Sequence, residues 1–197
     1  MAATMCLSIA ACGGTTPVEG TSATGAAFVE ALSTSVDYEA SDSVTELVHQ
    51  VEPEQAVTGQ IISVSPGYDH ESLDLRTAVI AVDTDDGRRL FVDILGPQTP
   101  DGFSTAQAAL PVRATILVRE PTREERADMT PVTGTPDRLD GVAWAPQSIF
   151  VDTTTDDGKT VVQQLPDGSL PELSGIPVTD VTDVAEAVNR EIASSQG

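Results

Sequence analysis

The sequence predicts a mainly β, α+β fold: a small antiparallel barrel or curled sheet of five to six strands with a packed C-terminal helix. Three observations predict it. Short apolar runs are separated by Asp-Gly turns, which favours hairpins and hence antiparallel pairing. Hydrophobic residues make up 40% of the 197 while aromatics are only 4%, so the core must come from Val, Ile, Leu and Ala. The last stretch before the C-terminus carries a regular apolar stripe at helical spacing.

Residues 13–41 are rich in Gly, Thr, Ser and Ala, which is linker composition. Within them, the apolar patch 26–32 can form a transient turn of helix. A single β-rich domain is expected over 42–197. It opens with Ser43-Val44-Thr45-Glu46, a capping box. Val44, Leu47, Val48 and Val51 then share one helical face until Pro53 stops it. Residues 56–64 read as a strand with a bulge or close approach at Gly59, ended by Pro66-Gly67. Residues 76–83 and 88–95 read as a hairpin around Thr84-Asp85-Asp86-Gly87. Ser104-Thr105-Ala106-Gln107 should cap a short helix ended by Pro111. Val112, Ala114, Ile116 and Val118 alternate with Arg113 and Thr115, the cleanest half-buried strand in the chain. Residues 122–125 can cap a helical turn, and 129–141 read as loop. Residues 148–152 and 160–165 form a second hairpin, followed by a loop at 166–177. The terminal stripe is Val181, Val184, Ala185, Val188 and Ile192, with Thr179 or Asp180 as N-cap.

Charge excludes whole classes of partner. Asp and Glu number 31 against 10 Lys and Arg, a formal net charge of -21. Nucleic acid binding is driven by Lys and Arg on phosphates, and anionic lipid attracts basic segments; neither suits this chain. No apolar run approaches the ~18 residues of a membrane-spanning helix.

The two cysteines, Cys6 and Cys12, both stand near the N-terminus. No disulfide can therefore staple the globular part. Around the second cysteine the chain reads Ile9-Ala10-Ala11-Cys12. These four residues resemble the lipobox of bacterial lipoprotein precursors: an aliphatic residue, two small ones, then Cys. The Arg excess and the Ala, Val, Thr and Asp bias look like high-GC coding, as in actinobacterial-like envelope proteins. The resemblance implies a diacylglyceryl thioether on Cys12 and cleavage after Ala11. Residues 1–11 would then be the remnant of a signal peptide, and 12–41 a lipidated N-terminus with a flexible linker. Eleven residues, none of them basic, precede Cys12. Export signals are longer, so this reading expects the true start upstream. The membrane would be reached through the covalent lipid, and the location would be extracytoplasmic.

Catalytic signatures are few. Asp83, Asp85, Asp86 and Gly87 invite a calcium reading, but Gly falls one position early for an EF-hand loop. Asp156-Asp157-Gly158 supplies too few ligands. His49 and His70 are the only imidazoles. His70, in a polar stretch after Pro66-Gly67, reads as a surface-loop residue, and His49 as a boundary residue beside the first apolar stripe. Neither has the company a zinc site needs. There is no Gly-x-Ser-x-Gly elbow, P-loop or dinucleotide turn. No catalytic, metal or cofactor residue is therefore assigned. Trp144, Tyr68 and Phe150 are candidates for a binding surface, though with so few aromatics the core has first claim on all three; Trp144, in the stretch 141–146, is the one singled out as a ligand surface. Two functional readings stay open. One is a non-catalytic binding or structural domain with an unknown protein or glycan ligand. The other is a secreted or anchored hydrolase with a dispersed site using His70 or His49.

Overall fold

A computed structural model describes residues 23–32, 40–71, 75–97, 99–145, 147–154, 159–165, 173–174, 176 and 178–195. Cys12 and the Asp-Asp-Gly tip at 156–158 lie outside these residues. The first elements are α1 (Ala23–Leu32), α2 (Val44–Val51), β1 (Gln55–His70), β2 (Leu75–Thr84) and β3 (Arg89–Leu95). There follow α3 (Pro100–Ala108), β4 (Val112–Val118), α4 (Arg123–Asp128), β5 (Met129–Pro131) and β6 (Gly141–Ala143). The last are β7 (Ile149–Thr154), β8 (Thr160–Leu165) and α5 (Val181–Ser195).

The strands form one sheet in the order β6-β3-β2-β1-β4-β7-β8, with β5 beside the far end of β1. The chain is thus mainly β, with the C-terminal helix packed on the sheet. The described strands number eight rather than five or six. The sheet is mainly antiparallel, as expected, and mixed only in that β6 runs parallel to β3. The chain leaves β4, crosses through α4 and β5, and so can enter β6 in the direction of β3. With β4 returning beside β1, the order β4-β1-β2-β3 is a Greek key. Val142 of β6 also exchanges two backbone hydrogen bonds with Arg119, just past β4, at 2.9 and 3.2 Å. Five strands therefore curl almost back onto themselves without a full closing ladder. This is the partly open Greek-key arrangement of OB-type barrels.

Alternation along the strands sorts two cores onto two faces. Val112, Ala114, Ile116 and Val118 of β4 and Ile149 and Val151 of β7 join Ile61, Ile80, Val92 and Ile94 inside the curl. Leu117 and Phe150 point the other way, to Leu47 and Val51 of α2 and Val184, Val188 and Ile192 of α5. Each fully buried side chain of this size contributes about 1.5–3 kcal/mol.

The inner core also takes Phe28, Val29 and Leu32, which are at most 3% exposed. Residues 23–32 are therefore an integral helix rather than linker. Composition misled because small residues surround a three-residue apolar anchor. Gly25 lies against the Asp152 carbonyl, where a side chain would collide.

Caps fix the other helices. Ser43 accepts from the Glu46 N–H at 3.2 Å, and Glu46 in turn accepts from Asp42 at 2.9 Å. Thr122 and Glu125 form a reciprocal capping box on α4. At α5, Asp180 accepts from the Thr182 N–H at 2.6 Å, and Asp183 from the Thr179 N–H at 2.7 Å. Asp152 of β7 accepts from the Val181 N–H at 3.0 Å, and Thr115 donates to the Val181 carbonyl at 2.7 Å. These two bonds dock the start of α5 on the sheet. Burial raises Asp152 to about 6, against the pull of that N–H.

Three local expectations are corrected. β1 does not stop at Pro66-Gly67 but runs on to His70. Register shifts at Ile61/Ser63 and Pro66/Asp69 absorb the irregularity, which is where a proline without an N–H can sit in a strand. Helix α3 begins at Pro100 with Thr99 as its cap, not at Ser104; proline at the first helical turn loses no hydrogen bond. Residues 129–131, expected in a loop, pair with β1.

Candidate functional site

The chemistry-bearing residues converge where β1 ends. Its last residue, His70, lies between Leu75 of β2 and Met129 of β5. Paired along both backbone edges, His70 is 3% exposed. It is a buried strand residue, not the surface-loop residue that the proline-glycine pair suggested.

Asp93 of β3 reaches the same spot and is fully buried. Thr77 of β2 donates its hydroxyl to Asp93 Oδ1 at 2.7 Å, and the Trp144 indole N–H donates to Asp93 Oδ2 at 2.8 Å. The Tyr68 N–H bonds Thr77 Oγ1 at 2.9 Å. Room for the carboxylate depends on Gly67: a Cβ there would stand 2.6 Å from both Asp93 Oδ1 and Thr77 Oγ1.

The imidazole faces two carboxylates without reaching either. His70 Nε2 lies 3.8 Å from Asp93 Oδ2, and Nδ1 lies 3.8 Å from Asp128 Oδ2 at the end of α4. Both separations exceed a hydrogen bond, and Nε2 has no hydrogen-bond partner among the described residues. The ring meets Trp144 edge-on, with centroids 4.7 Å apart. Above the indole, 5.8 Å from its centroid, sits the Arg119 guanidinium. Arg119 makes a two-pronged bond to Glu125 at 2.6 and 2.8 Å.

Burial sets the titrations. Asp93 is pushed up to about 7 by desolvation, which the Thr77 and Trp144 donors only partly offset. His70 is lowered by desolvation, against the upward pull of Asp128, Glu125 and Asp69. Burial, reinforced by the charge of Asp93, raises the Tyr68 hydroxyl. Glu125, part-buried and paired with Arg119, is held down to about 2.

This arrangement is not a nucleophilic triad. In a triad the hydroxyl bonds the imidazole and the imidazole bonds the acid. Here the hydroxyl is spent on the acid, and the imidazole hydrogen-bonds neither. The cluster can hold a proton inside the fold, but a substrate cannot reach a ring that is 3% exposed.

The remaining candidates do not join it. His49 is exposed on α2 and lines a groove of about 390 Å³ against α5, with Val48, Glu52, Glu191 and Ile192. Phe150 is core, and Tyr68 is half-buried. Trp144 is half-buried, with its N–H committed inward. At the hairpin tip each carboxylate is matched by an arginine: Asp83 with Arg89, Asp85 with Arg113 and Asp86 with Arg88. Among the described residues no group of three or more His, Cys, Asp or Glu is placed to hold a metal ion. No described helix is long and apolar enough to cross a membrane. A further groove, mostly apolar and of about 510 Å³, is walled by Pro66, Pro97, Pro100, Phe103 and Val132.

Sequence reasoning missed Asp93, Thr77 and Gly67. One signal was present. Leu90, Val92 and Ile94 share a face of β3, and Asp93 interrupts the apolar run on the other. A charge inside a strand of that kind marks either an edge or a buried polar site. The chain matches no protein-family model, no curated protein and no solved structure.

Proposed function

We propose that this chain is an extracytoplasmic envelope protein, anchored by lipid on Cys12, whose globular part is a non-catalytic binding or structural domain. The observation that carries the non-catalytic part is the closure of the His70–Asp93 pair, 3% and 0% exposed. General acid–base work needs the group within hydrogen-bond reach of a substrate, and this imidazole is buried against the Trp144 ring with the Asp93 and Asp128 carboxylates facing it. The anchor rests on the residues Ile9-Ala10-Ala11-Cys12. A body carrying -21 charges gains nothing from an anionic membrane face, so a covalent lipid is the fitting source of attachment.

A second reading, a hydrolase, draws on the proximity of His70 to Asp93. Full-length protein, His70→Ala and His49→Ala should be compared on generic ester and glycoside substrates. The proposal expects no turnover above background in any of them. Turnover lost in one histidine variant would establish the hydrolase instead. In parallel, Cys12→Ser should move the protein from the membrane fraction to the medium, and unchanged fractionation would remove the anchor.

A further inference from the structure

Between Arg119 and Gly141 the chain makes an excursion away from the barrel, hereafter the arm, containing α4 and β5. The arm buries only Pro121. Helix α4 has no buried residue, and β5 is half-buried at Met129 and exposed at Thr130 and Pro131. Polar bonds hold it at the edges: Arg119 grips Glu125, the Thr135 hydroxyl donates to the Gly67 carbonyl, and the Phe91 N–H donates to Asp140. β5 pairs with Tyr68, Asp69 and His70. Val132 bonds the Gly67 carbonyl at 3.3 Å, and Asp140 bonds the Phe91 carbonyl at 2.8 Å. Segments held this way, with few apolar contacts, are those that open locally before the rest of a fold.

His70 sits between this arm and the barrel, with Asp93 of the barrel at Nε2 and Asp128 of the arm at Nδ1, both 3.8 Å away. We propose that His70 is an acid-operated latch: neutral, it lets the arm close over it; doubly protonated, it releases the arm while the barrel stays folded.

The argument is one of donors and acceptors. An imidazolium has two N–H donors and needs two acceptors. The two carboxylate oxygens facing the ring are both beyond hydrogen-bond range. Asp93 Oδ2 already receives the Trp144 N–H. A buried charge without hydrogen bonds is strongly unfavourable. Opening the arm brings water to the ring and costs little packing.

The other charged groups around the ring do not reverse this. From β1, Asp69 is tied to Arg76 at 2.7 Å, and the Tyr68 hydroxyl stays neutral through this range. From α4, Glu125 is taken by Arg119 at the end of β4, while Arg126 is a further positive charge near Tyr68. The carboxylates Asp128, Glu125 and Asp69 pull the imidazole towards its charged form, but desolvation outweighs them. Asp93, on β3, takes the first proton and thereby ceases to be a counter-ion. Release would also remove Val132 and Thr133, one wall of the Pro66–Phe103 groove, so acid would reshape that surface.

Amide hydrogen exchange of the full-length protein at pH 7.5 and 5.0, corrected for the intrinsic rate, tests the latch. Protection in 122–140 should fall at least tenfold at the lower pH, while β2 and β4 keep theirs. His70→Gln should abolish the difference. Trp144 is the chain's one tryptophan, so its fluorescence gives a second reading that needs no variant. An imidazolium at its edge should quench it, with a midpoint below 6.5 that coincides with the exchange change. Arm protection equal at both pH values, an undiminished response in His70→Gln, or loss of barrel protection together with the arm would each overturn the proposal.

Discussion

His70 and Asp93 push the stability of the fold in opposite directions as pH changes. Asp93 is raised from 3.8 to about 7 in the folded protein. Its folded form therefore binds more protons than its unfolded form between these values, and the stability it contributes is lost as pH rises through about 7. His70 is lowered from 6.5. Its contribution is present above 6.5 and is lost as pH falls towards the folded value. Together they partly cancel. Replacing one should unmask the other: His70→Gln should melt higher at pH 5 than at pH 7.5, and Asp93→Asn lower. Each tenfold difference in proton affinity is worth about 1.4 kcal/mol, and a domain of this size melts roughly 2–4 °C higher or lower per kcal/mol. Differences of several degrees with opposite signs are expected by calorimetry. Equal slopes in the two variants would mean that the groups do not titrate inside the fold.

At the scale of elements, the helix that sequence reading placed in a linker has the largest consequence. Phe28 is fully buried in the inner core, and Phe→Ala at such a site costs about 3–5 kcal/mol. Phe28→Ala should accordingly lower the melting temperature by about ten degrees, from the same size scaling. A change below two degrees would return 23–32 to the tether. What could be read in advance follows a physical pattern. The strand at 112–118 and the C-terminal stripe were legible because one face is apolar and the period is clean. The fold class followed from the hairpins at 84–87 and 153–159. The end of β1 was illegible because Pro66-Gly67 is a turn signal in isolation. In the fold those residues occupy a register irregularity, and Gly67 exists to admit Asp93. The His70 cluster was illegible for the same reason: it is assembled by pairing across β1, β2, β3 and β5, which no local window contains.

For the whole molecule, charge is the dominant feature. Arg76, Arg88, Arg89, Arg113, Arg119 and Arg138 are each already paired with a carboxylate. All but the part-buried Arg119–Glu125 pair lie at the surface, where such pairs contribute little stability, and together they leave the excess of 31 acids over 10 bases uncompensated. Self-repulsion of that size is relieved by screening. Raising salt from about 20 mM to about 500 mM should raise the melting temperature; a fall would show that the arginine pairs matter more than the net charge. The same charge bears on placement, because a body repelled by anionic surfaces needs a covalent attachment to stay at a membrane.

The mass of the intact protein recovered from cells that export it decides that placement most directly. The account predicts a chain beginning at Cys12 and carrying a diacylglyceryl group on its sulfur. A mass that retains residues 1–11 with an unmodified thiol at Cys12 would contradict it.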